Sequence, residues 1–183
     1  IELTGSEELA RIDDSDDEHK ALNASVIDKY PALKITLKQY DFSSLGLSKG
    51  RNEGLKDIAT EHFLLCDDDF VFDLNCDLEH VLQMAIVNGI DILSGHYRNI
   101  KCLKSESYKR ANWLGFIIEN DEFDICNIYE NVFPEFMYCD IAQNFFIGNT
   151  VRVKSVSFPE DLPLNEHNIF FLRCKQQGLK VAS

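Results

Sequence analysis

The chain has 183 residues, of which 45% are hydrophobic and 27% charged, and this composition indicates a soluble, folded globular protein rather than a disordered one. Its 18 lysines and arginines against 31 aspartates and glutamates give a formal net charge of -13, which repels nucleic acid and anionic membranes, so we expect no nucleic-acid partner. No apolar run approaches membrane-spanning length and no signal-peptide pattern opens the chain, so no membrane span is predicted.

The first part of the chain alternates strand and helix patterns. Ile12 followed by acidic residues is typical of a strand that ends in a loop, and residues 17–30 have helical spacing that a proline stops. Residues 33–40 alternate apolar and polar side chains, as a half-buried strand does. Ser48 is predicted to cap a helix over residues 49–59. With the strand that follows, the order β-α-β-α-β predicts a parallel sheet with right-handed crossovers.

The most informative segment is residues 62–72, in which an apolar run of strand length ends in Asp67, Asp68 and Asp69. Such a strand puts negative charge at its carboxyl end, which is where ligands bind in open α/β sheets. Three like charges need a cation or a cage of hydrogen bonds. A divalent Mg²⁺ or Mn²⁺, completed by substrate phosphate oxygens, is the simplest such cage. The alternative is a solvated acidic turn.

A capped helix and a short strand follow the aspartates. Asn75 and Asp77 are predicted to cap an amphipathic helix, which Asn88 and Gly89 close. Residues 90–95 have the pattern of a further short strand.

The last part of the chain is predicted to be mostly strands, closed by a helix. Residues 110–158 are β-rich, with a hairpin candidate formed by residues 113–118 and 123–129. A helix over residues 166–177 follows. Because no repeat, low-complexity tract or linker interrupts the chain, we predict one domain over residues 1–183.

Residues 48–52 open the second predicted helix with a local excess of positive charge. The free N–H groups of the helix, its dipole, Lys49 and Arg51 form an anion site in an otherwise acidic protein. Asp13, Asp14 and the aspartate turn follow predicted strands, and they lie at one edge if those strands run the same way. An anion site beside a carboxylate pair implies a diphosphate bridged to a metal.

Short motifs stand in a fixed order along the chain, at residues 12–15, 46–55, 65–70, 139–147 and 166–173. The first three resemble GT-A glycosyltransferases of the large family typified by cellulose and chitin synthases. The last two resemble the β-1,4-N-acetylgalactosaminyltransferase type, known from ganglioside and Sd(a) synthases. The resemblance covers about residues 12–182.

The resemblance implies an α/β fold of the GT-A type, a mostly parallel sheet flanked by helices with a smaller β-rich part on the acceptor side. It implies a metal-dependent, inverting transfer of an N-acetylhexosamine from a UDP-sugar to a glycan or glycoconjugate hydroxyl, with Mn²⁺ or Mg²⁺ as cofactor. We also expect the chain to lack the first strand and helix of the family. Cytoplasmic and Golgi-lumenal locations stay open.

The resemblance also implies roles for individual residues. The residues assigned to the nucleotide-sugar are Asp13, Asp14, Lys49, Arg51, Asn52, Asp67 and Asp68. Asp67 and Asp69 match the metal-binding aspartates, and His167 matches a metal ligand of some relatives. Glu166 matches the general base that takes the proton of the acceptor hydroxyl, with Asp161 as the reserve.

Each of these assignments has a plainer alternative. The acidic residues 13–18 are also typical of a solvated helix cap. Arg51 is expected to pair with Glu53 or Asp57 on the surface if it has no ligand, and His167 to be a surface residue. The functional alternatives are a degenerate, non-catalytic nucleotide- or sugar-binding module, and another carboxylate–metal phosphotransferase or hydrolase, for which no nucleophile motif is present.

Overall fold

The computed structural model contains nine strands and five helices in its described part. It describes residues 8–13, 16–29, 34–41, 46–67, 72, 76–95, 113–119, 123–129, 135–162 and 165–183. The strands are β1 (Glu8–Asp13), β2 (Lys34–Gln39), β3 (His62–Leu65), β4 (Ile92–Ser94), β5 (Trp113–Glu119), β6 (Phe123–Tyr129), β7 (Tyr138–Cys139), β8 (Phe146–Asn149) and β9 (Val181–Ala182). The helices are α1 (Asp17–Ile27), α2 (Leu47–Asp57), α3 (Leu78–Asn88), α4 (Thr150–Lys154) and α5 (Glu166–Gln176).

The chain divides into two compact units, residues 1–59 with 157–166 and residues 60–156 with 167–183. The prediction of a single domain over residues 1–183 stays a prediction. None of the helices in the described ranges combines the length and the apolar character needed to cross a bilayer.

The first unit is a parallel strand pair with its helices. β1 and β2 pair in parallel, from Glu8 opposite Lys34 to Asp13 opposite Gln39. Helix α1 connects the two strands, and α2 follows β2 and packs against β1. The predicted β-α-β order with a parallel pair is therefore confirmed for this part of the chain.

The start of α2 differs from the prediction. The N-cap is Gly46, with a φ of +70°, a left-handed angle that glycine adopts without a steric penalty. No side-chain hydrogen bond caps the helix at Gly46 within the described part of the chain. The assignment of Ser48 as the cap is wrong, because the chain enters the helix through the Gly46 turn and Ser48 already lies in the first helical turn, where it is buried.

The second unit is built on a five-stranded sheet in the order β3-β8-β4-β9-β7. Strands β3, β4 and β9 run in one direction, and β8 and β7 run in the other. The predicted α/β class is confirmed. Neighbouring strands nevertheless pair mostly antiparallel, because β8 lies between β3 and β4 in the opposite direction and only β4 and β9 pair in parallel.

The core of the second unit is rich in phenylalanine. Phe170 and Phe171 of α5 are fully buried, and the ring centroid of each lies 6.4 Å from that of Phe146 on β8. Beside them, a Cβ atom on Gly148 would lie 2.9 Å from the ring of Phe63. The close approach of β3 and β8 therefore requires glycine at this position.

Two predicted elements of the second unit are confirmed. Helix α3 has the predicted caps at Asp77 and Gly89, since the Asp77 carboxylate accepts the N–H of His80 at 2.9 Å and Gly89 ends the helix with a φ of +60°. Asn75 lies outside the described residues. β5 and β6 form the predicted antiparallel hairpin, with Glu119 opposite Phe123 next to the turn.

Helix α4 was not predicted, because residues 110–158 were expected to be β-rich. Its sequence, Thr-Val-Arg-Val-Lys, has three β-branched residues and favours a strand by propensity. The Asn149 side chain accepts the N–H of Arg152 at 3.1 Å, and this cap starts the helix directly after β8.

Candidate functional site

A cleft of about 310 Å³ lies in the first unit. Its lining residues are Gly46, Leu47, Ser48, Lys49, Glu160, Asp161, Leu162 and Glu166. The fold therefore brings together three residues that the sequence analysis selected, Lys49, Asp161 and Glu166, although more than a hundred positions separate the first from the other two along the chain.

The N-terminus of α2 lines the cleft through Leu47, Ser48 and Lys49. The first intrahelical hydrogen bond runs from the N–H of Gly50 to the carbonyl of Gly46 at 2.9 Å, so the N–H groups of Leu47, Ser48 and Lys49 precede the helical ladder. The Ser48 hydroxyl is buried and has no hydrogen-bond partner within the described part of the chain. With the Lys49 ammonium and the helix dipole, these donors form a site suited to an anion.

The cleft is also lined by three carboxylates, those of Glu160, Asp161 and Glu166. Glu166 is the first residue of α5, and negative charge is favourable at a helix N-terminus. Its side chain is only 19% exposed, whereas Glu160 and Asp161 are exposed residues. Because carboxylates accept hydrogen bonds and protons, these three side chains are suited to bind the hydroxyl groups of a ligand.

Asn52 of α2 fixes the segment from which the carboxylates project. Its side-chain amide donates to the carbonyl of Phe158 at 2.9 Å, and its side-chain oxygen accepts the N–H of Phe158 at 2.8 Å. The amide also donates to the Glu160 carboxylate at 2.8 Å. Both polar groups of one buried peptide segment are thus satisfied by a single side chain.

Arg51 is buried against the same segment. Its side chain is 7% exposed, and its guanidinium lies 5.3 Å from the centre of the Phe158 ring. Its Nη1 atom is 3.8 Å from a carboxylate oxygen of Glu166, so the two side chains form an ion pair. A cation over an aromatic face is attracted by the ring quadrupole.

The surface alternative for Arg51 is wrong, because its side chain is buried and the proposed partners bind other cations. Glu53 is paired with Lys56, and Asp57 with Lys38. The hydrogen bond from Lys56 lowers the pKa of Glu53, and the hydrogen bond to Asp57 raises the pKa of Lys38.

The structure describes part of the acidic segment at the end of β1, for which nucleotide binding and a helix cap were the two predictions. Asp13 is buried at the end of β1, and its carbonyl accepts the N–H of Tyr40 at 2.9 Å, while Asp14 lies outside the described residues. The helix-cap alternative holds at Asp16, which accepts the N–H of His19 at 2.9 Å. This bond lowers the pKa of Asp16, and the hydrogen bond between the two side chains raises the pKa of His19.

The two predicted metal ligands that the structure describes, Asp67 and His167, belong to the second unit. Asp67 is partly buried directly after β3, and Asp68 and Asp69 lie outside the described residues. His167 is not the surface residue of the plainer alternative, because its Nδ1 lies 2.7 Å from the side-chain oxygen of Asn144. No group of three or more His, Cys, Asp or Glu side chains suited to a metal occurs among the residues with described positions.

The donor chemistry of the aspartate turn nevertheless suits Mg²⁺ or Mn²⁺, since both ions prefer carboxylate oxygens. Two polar side chains of the cleft, Ser48 and Glu160, were not predicted to bind a ligand. Glu160 precedes Asp161, the reserve base, in the sequence. This pair of adjacent carboxylates was the signal that could have identified Glu160 as a cleft residue.

Comparison with known proteins finds sequence relatives for part of the chain. It is 26% identical to β-1,4 N-acetylgalactosaminyltransferase 1 of Mus musculus over 136 residues, and 27% identical to the Homo sapiens protein of the same name over the same length. The matched part is 69% of this chain and 25% of each relative. The chain thus spans about a quarter of the length of these curated relatives. No family model matches it.

Solved structures match nearly the whole chain. S. aureus TarS 1-349 in complex with UDP-GlcNAc superimposes with a TM-score of 0.63 and 18% identity, covering 96% of this chain and 46% of that one. The complex of the same protein with UDP gives a TM-score of 0.64 and 17% identity, covering 99% and 49%. The predicted glycosyltransferase fold of the GT-A type is therefore confirmed.

Proposed function

We propose that this chain is the catalytic part of an inverting glycosyltransferase that moves an N-acetylhexosamine from a UDP-sugar to a glycan hydroxyl. The observation that carries the proposal is that hydrogen-bond donors with positive charge and negatively charged carboxylates line the same cleft. The N-terminus of α2, Ser48 and Lys49 line this cleft together with the carboxylates of Asp161 and Glu166. A UDP-sugar has matching chemistry, since its diphosphate is anionic and its sugar carries hydroxyl groups.

Known proteins support the same substrate class. The sequence relatives are named as N-acetylgalactosaminyltransferases, and the fold neighbour TarS was solved with UDP-GlcNAc and with UDP. We propose a glycan or glycoconjugate as the acceptor, because the carboxylates that line the cleft can accept hydrogen bonds from hydroxyl groups.

Different residues of the cleft would act on the acceptor hydroxyl and on the leaving diphosphate. The acceptor oxygen attacks the anomeric carbon, the bond from that carbon to the phosphate oxygen breaks, and UDP leaves with the bonding electrons. Glu166 takes the proton of the acceptor hydroxyl, and attack from the side opposite the leaving group inverts the anomeric configuration. The free N–H groups of α2 and the Lys49 ammonium stabilise the negative charge that grows on the diphosphate.

We propose that the cofactor binds at the aspartates of residues 67–69. Asp67, with the neighbouring Asp68 and Asp69, would hold Mn²⁺ or Mg²⁺, and His167 is a further candidate ligand. Such an ion would supply positive charge and act as a Lewis acid at these aspartates. Dialysis against EDTA should abolish turnover and Mn²⁺ should restore it, whereas D69A should stay inactive at every Mn²⁺ concentration. Unchanged turnover of D69A would rule out the metal role.

A donor screen tests the transfer itself. The purified chain is incubated with Mn²⁺, an N-acetylhexosamine-terminated or galactose-terminated oligosaccharide, and each of UDP-GalNAc, UDP-GlcNAc, UDP-Gal and UDP-Glc. Chromatography measures released UDP, and NMR of the product gives the anomeric configuration. We expect one UDP-N-acetylhexosamine to be used, and E166Q to lower kcat about 10²- to 10⁴-fold.

The matched control is E53Q, which alters another carboxylate of the first unit, one paired with Lys56 outside the cleft. D161N tests the reserve base in the same assay. UDP binding by calorimetry without turnover of any UDP-sugar would instead select the non-catalytic binding module.

A further inference from the structure

We propose that Arg51 is a positioning residue that holds the Glu166 carboxylate in the cleft, rather than a ligand of the donor diphosphate. The inference rests on the proposed function, in which Glu166 is the general base. Arg51 then interacts with the base, and the phosphates are bound by Lys49 and the N-terminus of α2.

The ion pair is the first observation behind this assignment. The side chains of Arg51 and Glu166 are 7% and 19% exposed, so water screens their attraction far less than it would on the surface. The distance of 3.8 Å from Nη1 to the carboxylate oxygen is too long for a hydrogen bond. The guanidinium therefore attracts this oxygen without donating to it, and the oxygen stays able to accept the proton of a substrate hydroxyl.

The second observation is the rigid support under the guanidinium. It lies over the Phe158 ring, which is almost completely buried, and Asn52 binds both backbone groups of Phe158. A planar guanidinium on an aromatic face has fewer orientations than a flexible ammonium. The position of Arg51 is thus fixed by Phe158 before any ligand enters.

The third observation is the backbone on either side of the carboxylates. Ser157 and Asn165 have φ angles of 57° and 64°, and they are the non-glycine residues with positive φ within the described ranges. One precedes Phe158 directly, and the other precedes Glu166. Such angles persist only where the surrounding structure enforces them, and they concentrate at functional sites. The backbone is therefore constrained next to Phe158 and next to Glu166.

Arg51 and Lys49 consequently have different surroundings, although both were assigned to the nucleotide. Lys49 lines the cleft and is exposed, whereas Arg51 is buried beneath it and does not belong to the lining residues. A phosphate ligand must reach the phosphate, and a positioning residue only needs to reach the base.

Kinetics and crystallography of R51M, R51K and K49M test the assignment. We expect R51M to lower kcat about 10- to 100-fold, since a misplaced base costs that much, while KM for the UDP-sugar changes less than about twofold. R51K keeps the charge and should recover part of kcat. K49M should do the opposite and raise KM for the donor. Crystals of R51M should have the Glu166 carboxylate turned away from its wild-type position.

Each other outcome is decisive. A raised KM for the donor with unchanged kcat in R51M would identify Arg51 as a donor ligand and overturn the inference. An unmoved Glu166 carboxylate in R51M crystals would overturn it whatever the activity. Full turnover by E166Q would refute the proposed base instead, and the crystals would still decide what holds the carboxylate. If circular dichroism shows that R51M does not fold, kcat, KM for the donor and the position of the Glu166 carboxylate are compared between R51K and the wild type instead.

Discussion

Replacing Asn52 by alanine tests how strongly the Phe158 segment is anchored. The substitution removes three hydrogen bonds, the two of 2.8 and 2.9 Å to the backbone of Phe158 and the one of 2.8 Å to the exposed Glu160 carboxylate. It leaves the buried N–H and carbonyl of Phe158 without these partners. A buried polar group that loses its partner costs about 1–3 kcal/mol. Since Asn52 itself is partly exposed, water can replace some of the lost bonding, and we expect N52A to lower the free energy of unfolding by about 2–4 kcal/mol.

Urea and thermal unfolding monitored by circular dichroism measure this loss. For a chain of 183 residues, about 2–4 °C of Tm corresponds to each kcal/mol, so N52A should lower Tm by about 4–16 °C. N52D keeps an acceptor for the N–H of Phe158 but faces its carbonyl with a carboxylate, so it should be at least as destabilising as N52A.

The matched control is N88A, which removes a single bond of 2.9 Å from the exposed end of α3 to the carbonyl of Met84. We expect it to change the free energy of unfolding by less than about 0.5 kcal/mol, as exposed substitutions usually do. Equal Tm values for N52A and N88A would refute the anchoring role of Asn52.

Three further predictions concern the second unit. D77A removes the cap of α3 and should cost about 0.5–2 kcal/mol in urea unfolding, so an unchanged midpoint would contradict the cap. G148A puts a Cβ 2.9 Å from the Phe63 ring and should cost about 1–3 kcal/mol, which an unshifted Tm would exclude. Burial raises the pKa of the Cys139 and Cys174 thiols to about 12, so both should resist iodoacetamide at pH 8 in mass spectrometry, and rapid labelling would contradict this. Because these pKa values are raised on folding, their contribution to stability is complete below pH 9.0 and declines as the pH rises toward 12.

Local signals predicted the local structure well. Asp77 and Gly89 mark the ends of α3 because their side chain and backbone angle satisfy the helix termini directly. The hairpin of β5 and β6 follows from alternation around a short polar turn. Ser48 misled the prediction because serine is a common cap, while the actual cap, Gly46, acts through its backbone angle.

Long-range pairing was beyond the sequence pattern. The place of β8 between β3 and β4 depends on which strand edges meet after the chain has folded, and alternation does not encode it. Lys49 and Glu166 were selected separately, by a helix-start signal and by a family motif, and the fold brings them to one cleft. The partners of Arg51 and Asn52 were missed for the same reason, since Phe158 carries no signal of its own.

The position of β9 between two other strands has a consequence for synthesis on the ribosome. Residues 181–182 fill the gap between β4 and β7, so the sheet stays incomplete until this stretch has left the exit tunnel. Until then, β4 and β7 expose open backbone edges that invite pairing with other nascent chains. We expect the second unit to fold late, slowly and with a need for chaperones, as chains dominated by distant contacts do.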